Sequence, residues 1–160
     1  MNVEIMMAEL VKRLSAATCH LQFQTKRGEI TGPQVFNGYM PPKDPRNPQR
    51  EEDFPYVMPR YLNDESTDDD TVAQVKILCG VFSEDDQQGW MDLLNLTNCI
   101  KADLLQKRNF GDCFEIKMPF KREFPEEQTK PEWWGWFLVK ISIPNIQEVD
   151  RDVIDFLSGR

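Results

Sequence analysis

The chain has 160 residues, 40% of them hydrophobic, so one domain with one buried core is expected. Its 27 acidic and 19 basic side chains give a formal charge of -8, which repels phosphate and argues against nucleic-acid binding through a broad basic face. Four scattered cysteines and a single histidine do not favour a structural zinc site. Neither a secretion signal nor an apolar run of about 18 residues is found, so we expect no transmembrane helix, and free thiols in a reducing cytoplasm.

The first half of the chain predicts one helix and then extended segments. Apolar residues at spacings of three and four predict a helix from Asn2 to Ala17. A turn between Lys26 and Pro33 precedes the apolar stretch Gln34–Met40, which is compatible with a strand. The proline-rich stretch Pro41–Pro48 predicts a loop. Extended structure resumes over Phe54–Leu62, where two prolines favour an edge position or an irregular ladder.

The centre of the chain predicts a strand, a turn and a helix. After a polar acidic turn at Asn63–Asp70, alternation over Thr71–Phe82 indicates a half-buried strand. Ser83 or Asp85 is positioned to cap the helix that follows. The helix is predicted to reach about Gln106 to Arg108, and its inward stripe consists of Trp90, Leu93, Leu94, Thr97, Ile100, Leu104 and Leu105.

The last part predicts two strands and a short helix. Phe114, Ile116, Met118 and Phe120 alternate with polar residues, and after a loop at Pro125–Pro131 a longer strand covers Trp133–Ile143. Helical spacing follows Pro144 at Ile146, Val149, Val153, Phe156 and Leu157.

Together these elements predict an α+β fold. A mixed, mainly antiparallel sheet of about four to five strands is packed by the N-terminal helix and the long central helix, with a short C-terminal helix. The domain is expected to span residues 1–144, followed by a C-terminal helical extension over residues 145–160.

The sequence shows no recognisable catalytic or cofactor-binding motif, so an enzyme is not expected. The glycines fit neither the dinucleotide fingerprint nor the phosphate-binding loop. Cys19 and His20 are sequence neighbours whose side chains point in different directions, whereas catalytic pairs are assembled from distant segments. The acidic stretch Asn63–Asp70 lacks the glycine and spaced glutamate of a calcium-binding loop, so a solvated turn is favoured.

The strand at Trp133–Ile143 is apolar on both faces, with Trp134, Trp136 and Leu138 on one of them. One interpretation is a central strand covered by helices on each side. The other is that the tryptophan face is buried only when another subunit docks, since tryptophan is favoured in interface cores. The C-terminal stripe leaves the same choice open, between its own sheet and a neighbour. Both sets are candidate subunit-interface residues: Trp134, Trp136, Leu138, Ile146, Val149, Val153 and Phe156.

Four strings in this order resemble tail-completion or tail-terminator proteins of tailed bacteriophages and prophages of Gram-positive bacteria. They are Gln34–Lys43, Asp53–Val57, the segment from Ile77–Phe82 into Gln87–Leu96, and Trp133–Pro144. The Gly-Trp-Met-Asp-Leu-Leu-Asn string at residues 89–95 is the most distinctive of them. The likeness covers roughly residues 2–144.

The resemblance implies a subunit that forms a ring, expected to be a hexamer, which ends polymerisation of the tail tube. Its partners would be the tail-tube protein and the head-completion or neck proteins, first in the host cytoplasm and then at the head-proximal end of the virion tail. We expect no sequence-specific nucleic-acid binding and no membrane partner. A head-tail connector or neck completion protein, a generic soluble adaptor, and an enzyme with an unrecognised site remain alternatives.

Acidic residues are the second set of candidates. An acidic wall gives sliding DNA phosphates no sticking points, so a carboxylate-rich segment suits the lumen or the tube-facing rim of such a ring. One candidate segment is the loop Glu51–Asp53, and the other is the acidic turn, with candidate residues Asp64, Glu65, Asp68, Asp69 and Asp70.

Overall fold

The computed structural model describes residues 3–42, 46, 53–111 and 113–145. In chain order its elements are α1 (Val3–Thr18), β1 (Phe23–Gln24), β2 (Ile30–Thr31), β3 (Gln34–Val35), β4 (Tyr56–Ser66), β5 (Asp70–Phe82), α2 (Gly89–Gln106), β6 (Asn109–Phe110), β7 (Phe114–Glu123) and β8 (Glu132–Pro144). Except for Asn145, the predicted C-terminal extension lies outside the described residues, and so do Glu51 and Glu52 of the candidate acidic loop.

The predicted N-terminal and central helices are confirmed, with corrections at the start of α2, where Trp90, predicted to face inward, is 44% exposed. The carboxylate Oδ1 of Asp85 accepts hydrogen bonds from the backbone amides of Gln87 and Gln88, both at 3.0 Å, and Gly89 N donates to the Asp85 carbonyl at 2.9 Å. Asp85 therefore stabilises the turn before the helix, and Ser83 caps nothing in α2. The N-cap is Gln88, which makes no capping hydrogen bond with its side chain.

The main sheet has six strands in the order β3-β4-β5-β8-β7-β6, not four to five. All neighbours pair antiparallel except β3 and β4, which are parallel. The unpredicted strand is β6, which has two residues, too few to produce an alternating pattern, whereas β3 is the first two residues of the predicted stretch Gln34–Met40. The strands β1 and β2 form a separate antiparallel pair.

Both helices pack on one face of this sheet. Their buried stripes and the inward residues of β5 and β8 form a single hydrophobic cluster, in which Ile77 pairs with Phe137 across the two central strands. At full burial such side chains contribute about 1.5–3 kcal/mol each. The interpretation of a central strand with a helix on each face is therefore wrong for α1 and α2, because both satisfy their apolar stripes against the same side.

The predicted acidic turn is mostly strand, because β4 continues to Ser66 and β5 begins at Asp70. Only residues 67–69 turn, and the Thr67 hydroxyl accepts hydrogen bonds from the amides of Asp69 and Asp70 at 3.3 Å. Polar pairs replace apolar packing in this hairpin: the Ser66 and Thr71 hydroxyls lie 2.7 Å apart. A register shift between Tyr61 and Asn63 confirms the irregular ladder expected near the prolines.

The alternation predicted for β7 fails in its middle. Phe114 and Ile116 are buried in the core, but Met118 is 55% exposed. The pairing with β8 shifts register between Lys117 and Lys121, and this bulge turns Met118 away from the core, whereas Phe120 still packs against Phe137. Within the described residues no helix is long and apolar enough to cross a membrane.

Candidate interaction surface

The face of the six-stranded sheet opposite the two helices is called here the outer face. Side chains alternate along a strand. Trp134, Trp136 and Leu138 of β8 therefore lie on the outer face, whereas Trp133, Phe137 and Val139 are buried on the core side. All three outer side chains are half-buried. The predicted alternation is confirmed, and the three apolar candidates share a face that α1 and α2 leave uncovered.

The two outer tryptophans are held by each other and by charged neighbours. Their ring centroids lie 5.5 Å apart, and the Lys76 Nζ lies 4.4 Å from the centroid of the Trp136 ring, a cation–π contact. Trp136 Nε1 donates to Glu123 Oε2 at 3.1 Å, and Glu123 Oε1 pairs with Lys121 Nζ at 2.7 Å. The hydrogen bond from Lys121 is the main reason that the pKa of Glu123 lies below its usual value, and the Trp136 bond adds to it.

The loop between β7 and β8 is fastened to the start of this surface by one glutamine. Gln128 Nε2 donates to the carbonyls of Pro125 and Trp134, while its Oε1 accepts from Trp134 N at 2.9 Å. The side chain thereby bonds the backbone of β8 at Trp134, on the side where the pairing with β7 has already ended. The backbone of Trp134 is held in place as a result.

The β4 side of the outer face is covered by the chain itself. Tyr56, Met58 and Leu78 form a second buried cluster, against which Phe36, Met40, Phe54 and Trp136 pack. A Cβ on Gly80 would overlap the rings of Tyr56 and Phe54, so these rings lie directly over the backbone of β5. Phe36 and Met40 of the first string and Phe54 and Tyr56 of the second thus belong to one packed cluster.

Arg60 fixes the turn that precedes this cluster. Its Nε donates to the Gly38 carbonyl at 2.8 Å, and its guanidinium carbon lies 4.1 Å from the centroid of the Tyr39 ring. Gly38 has a φ of 86°, a conformation that glycine adopts without strain. Sequence reasoning missed this contact, because Arg60 and Tyr39 lie on segments joined by a long proline-rich loop.

The acidic candidates lie at the end of the β4–β5 hairpin and not in a compact loop. This end, from Asp64 to Asp70, is called here the acidic arm. Asp64, Glu65, Asp68 and Asp69 are exposed and Asp70 is half-buried. Tyr61 donates its hydroxyl to Asp64 Oδ2 at 2.6 Å, and this hydrogen bond is the main cause of the raised pKa of Tyr61.

The tip of the arm is tied to the end of β8. Ser142 donates to Asp70 Oδ2 at 2.9 Å, Asn145 Nδ2 donates to the Thr67 carbonyl at 2.8 Å and Thr71 Oγ1 donates to Asn145 Oδ1 at 2.8 Å. Trp136 lies eight residues back along β8, about 26 Å away at the usual strand rise. The structure therefore separates the acidic and tryptophan candidates instead of forming one site from them.

The histidine lies beside a different cysteine from the one adjacent in sequence. Cys99 Sγ lies 3.8 Å from His20 Nε2, whereas Cys19 Sγ donates to the Ala16 carbonyl at 3.3 Å. Burial, followed by the nearby Asp103 carboxylate, raises the pKa of Cys99. A catalytic cysteine needs the opposite shift, toward the thiolate. The contact therefore offers no activated nucleophile.

Clustered metal ligands are not found in the part of the chain that the structure describes: no three His, Cys, Asp or Glu side chains lie together there in a way that would hold an ion. The carboxylates of the acidic arm point along an extended hairpin, which spreads them out.

Comparison with known proteins finds no family model that matches the chain and no matching curated protein. The resemblance to phage tail terminators therefore rests on the four sequence strings. The interface candidates Ile146, Val149, Val153 and Phe156 lie outside the described residues.

Proposed function

We propose that this chain is a virion assembly subunit that forms a ring, the tail terminator of a tailed phage or prophage, and that it stops polymerisation of the tail tube. The observation that carries the proposal is the pair Trp134 and Trp136 on a sheet face that neither helix covers. The resemblance of the four strings supplies the biological setting.

The tryptophan pair suits a protein partner better than a small molecule. Each ring is half-buried, the two rings are in contact, and Lys76 and Glu123 hold Trp136 in place. Large aromatic side chains with little conformational freedom left to lose are the residues that dominate binding energy in interface cores. Docking of a neighbouring subunit on this pair would remove the remaining exposed ring surface from water.

A ring places different surfaces of one subunit against each other. In a cyclic hexamer the contact is heterologous, so the tryptophan pair of one copy would meet a second, unrelated surface of the next. We propose that the acidic arm then faces the lumen or the tube-facing rim. Carboxylates at Asp64, Glu65, Asp68 and Asp69 would repel passing DNA, in keeping with the chain's net charge of -8.

The deciding experiment replaces both tryptophans in the phage or prophage that carries the gene. Trp134→Ser/Trp136→Ser should give overlong tails in electron micrographs, because termination requires the assembled ring. Ile30→Ser is the matched control: Ile30 is 65% exposed on the separate β1–β2 pair, and its replacement should leave tail length unchanged. Circular dichroism of both purified chains verifies that they fold.

Two results would contradict the proposal. Normal tail lengths with the folded tryptophan variant would show that this face does not act in termination. Tails of normal length that fail to join heads would instead identify a neck completion protein.

The role of the acidic arm has its own test. Asp68→Lys/Asp69→Lys should disturb tail length or DNA passage, whereas Glu126→Lys/Glu127→Lys, an equal charge change at exposed positions outside the arm, should not. Normal infectious particles from the first variant would remove the arm from the proposal.

A further inference from the structure

The outer face has a second part, beyond the tryptophans, where lysines predominate. A crevice of about 180 Å³ lies there with Leu138 and Pro119 in its lining and Lys121 and Lys140 at its sides. It forms where the register of β7 shifts against β8. This region, from Leu138 to Lys140 and across to β7, is called here the lysine end of the outer face.

The lysine end is basic in a chain that is acidic overall. Lys117 of β7 lies opposite Lys140 of β8. It adds a third ammonium group to those of Lys121 and Lys140. Lys121 pairs with Glu123 and Lys117 with Glu115. Among the described residues no carboxylate pairs with Lys140, whose side chain is exposed. An occupant that brings both an apolar side chain and carboxylates would complement this crevice.

The chain itself carries such a sequence immediately after β8. Residues 146–160 contain four carboxylates and two arginines. Acidic and apolar residues adjoin there repeatedly, as in Val149-Asp150, Asp152-Val153 and Asp155-Phe156.

We propose that residues 146–160 bind the lysine end of the outer face of their own chain, with apolar side chains of the segment over Leu138 and its carboxylates at Lys121 and Lys140. This assignment differs from the expectation that the C-terminal stripe contacts a neighbouring subunit. It does not depend on the proposed function.

The reach of the segment agrees with this placement. Asn145 is held at the end of β8 by its hydrogen bonds to Thr67 and Thr71. Leu138 lies seven residues back along the strand, about 23 Å away. In an extended conformation Asp150 and Asp152 would lie about 17 and 23 Å from Asn145, which match the distances back along β8 to Lys140 and Leu138, so a segment that reverses at Asn145 can reach the crevice.

Tethering favours this chain's own segment over that of a second copy. A short tether gives the attached segment an effective concentration in the millimolar range. A purified chain at micromolar concentration offers the same segment of other copies at far lower concentration. Binding within one chain therefore predominates unless the tether cannot reach, and the distances above show that it can.

A carbodiimide cross-linker tests the proposal on the unsubstituted 160-residue chain, because it joins only a carboxylate and an amine in direct contact. We expect cross-links from Lys121 or Lys140 to Asp150 or Asp152, identified by mass spectrometry. Lys26 and Glu132, whose Nζ and Oε1 lie 2.6 Å apart, are the internal positive control.

An equal mixture of chains with natural and heavy nitrogen shows which copy donates the segment. Links within one isotope class support the proposal, and links between classes overturn it in favour of a second copy. Absence of any link from residues 146–160 to the lysine end, with the Lys26–Glu132 link present, overturns it as well.

Charge reversal gives a second readout that does not use the cross-link. In Asp150→Lys/Asp152→Lys, acetylation of Lys121 and Lys140 should accelerate about fivefold, as expected on losing two surface ion pairs. Lys12, whose side chain is 79% exposed, is the reference within each chain, and Glu126→Lys/Glu127→Lys is the variant with matched charge. Equal acetylation rates in the two variants would overturn the proposal. Tail length is not measured in any of these assays, so failure here leaves the proposed function standing.

Discussion

Replacing Gly89 by alanine should destabilise the protein, although alanine is normally the better helix former. Gly89 is the first residue of α2, and a Cβ there would overlap the Nε1 and Cε2 atoms of the Trp133 indole. That ring is only 4% exposed and donates from Nε1 to the Ser83 carbonyl at 3.3 Å. It therefore has little freedom to move away.

Two opposing effects set the change in the free energy of unfolding that Gly89→Ala causes. The exchange of glycine for alanine in a helix contributes up to about 1 kcal/mol of stability, and less at the first position. Forcing extra volume into a packed site typically costs about 1–3 kcal/mol, and displacing the indole also weakens its hydrogen bond, worth about 1 kcal/mol. We expect a net loss of about 1–2 kcal/mol.

Urea unfolding of a double-mutant cycle isolates the clash. Trp133→Phe removes the indole atoms that the new Cβ would meet, so Gly89→Ala should cost less in that background by about 1 kcal/mol or more. Ala102→Gly, at an exposed position of the same helix, measures the propensity term separately. A Gly89→Ala chain as stable as the natural one, or a cycle without coupling, would refute the close packing of α2 on Trp133.

Three further predictions concern the core and its titratable groups. Burial raises the pKa of Tyr56 from 10 to about 12, so the stability it confers is complete below pH 10 and falls as the pH rises toward 12, by about 2–3 kcal/mol. Tyr56→Phe should remove that alkaline loss in urea titrations, and an unchanged pH profile would contradict the assignment. A thiol reagent should label the exposed Cys19 and Cys113 first and the fully buried Cys79 only on unfolding; early labelling of Cys79 would contradict its burial. Phe137→Ala, at a fully buried position, should cost about 3–5 kcal/mol in the same urea assay, and a cost under 1 kcal/mol would show that the central core is not packed as described.

Elements with a long pattern were predictable from the sequence. The helices α1 and α2 and the strand β5 each repeat their spacing over many residues, and their boundaries agree with the prediction to within a few residues, apart from the start of α2. That start was misplaced because Asp85 satisfies two amides in a turn just before the helix. A capping side chain has the same sequence signature in either position.

Elements that depend on a partner were not predictable. The polar residues of β4 have poor strand propensity, and they are extended because β5 supplies a hydrogen-bonded partner strand. The two-residue strand β6 exists for the same reason, because it pairs with β7. The contact of His20 with Cys99 joins α1 to α2, and local sequence carries no signal for such a tertiary pairing.

For the candidate surface, the sequence predicted which residues share a face but not what covers that face. Alternation along β8 places Trp134, Trp136 and Leu138 together, whatever packs on either side. The side that the helices occupy is decided by the whole sheet, because the Gln74 and Lys76 face of β5 cannot form the main core. Lys76, which contacts the Trp136 ring, comes from β5, a strand that is distant in sequence.

The exposed edge of β4 gives the acidic arm a protective role. As far as Pro59, the segment from Gln34 to Gly38 forms hydrogen bonds with this edge. From Arg60 to Ser66, no strand among the described residues pairs with the edge. Such an edge is a template for a strand of another copy. In any edge-to-edge pairing of two identical arms, carboxylates such as Asp64 and Glu65 would lie near their own counterparts, and that repulsion disfavours pairing. The carboxylates along this edge therefore disfavour sheet-to-sheet pairing of two copies.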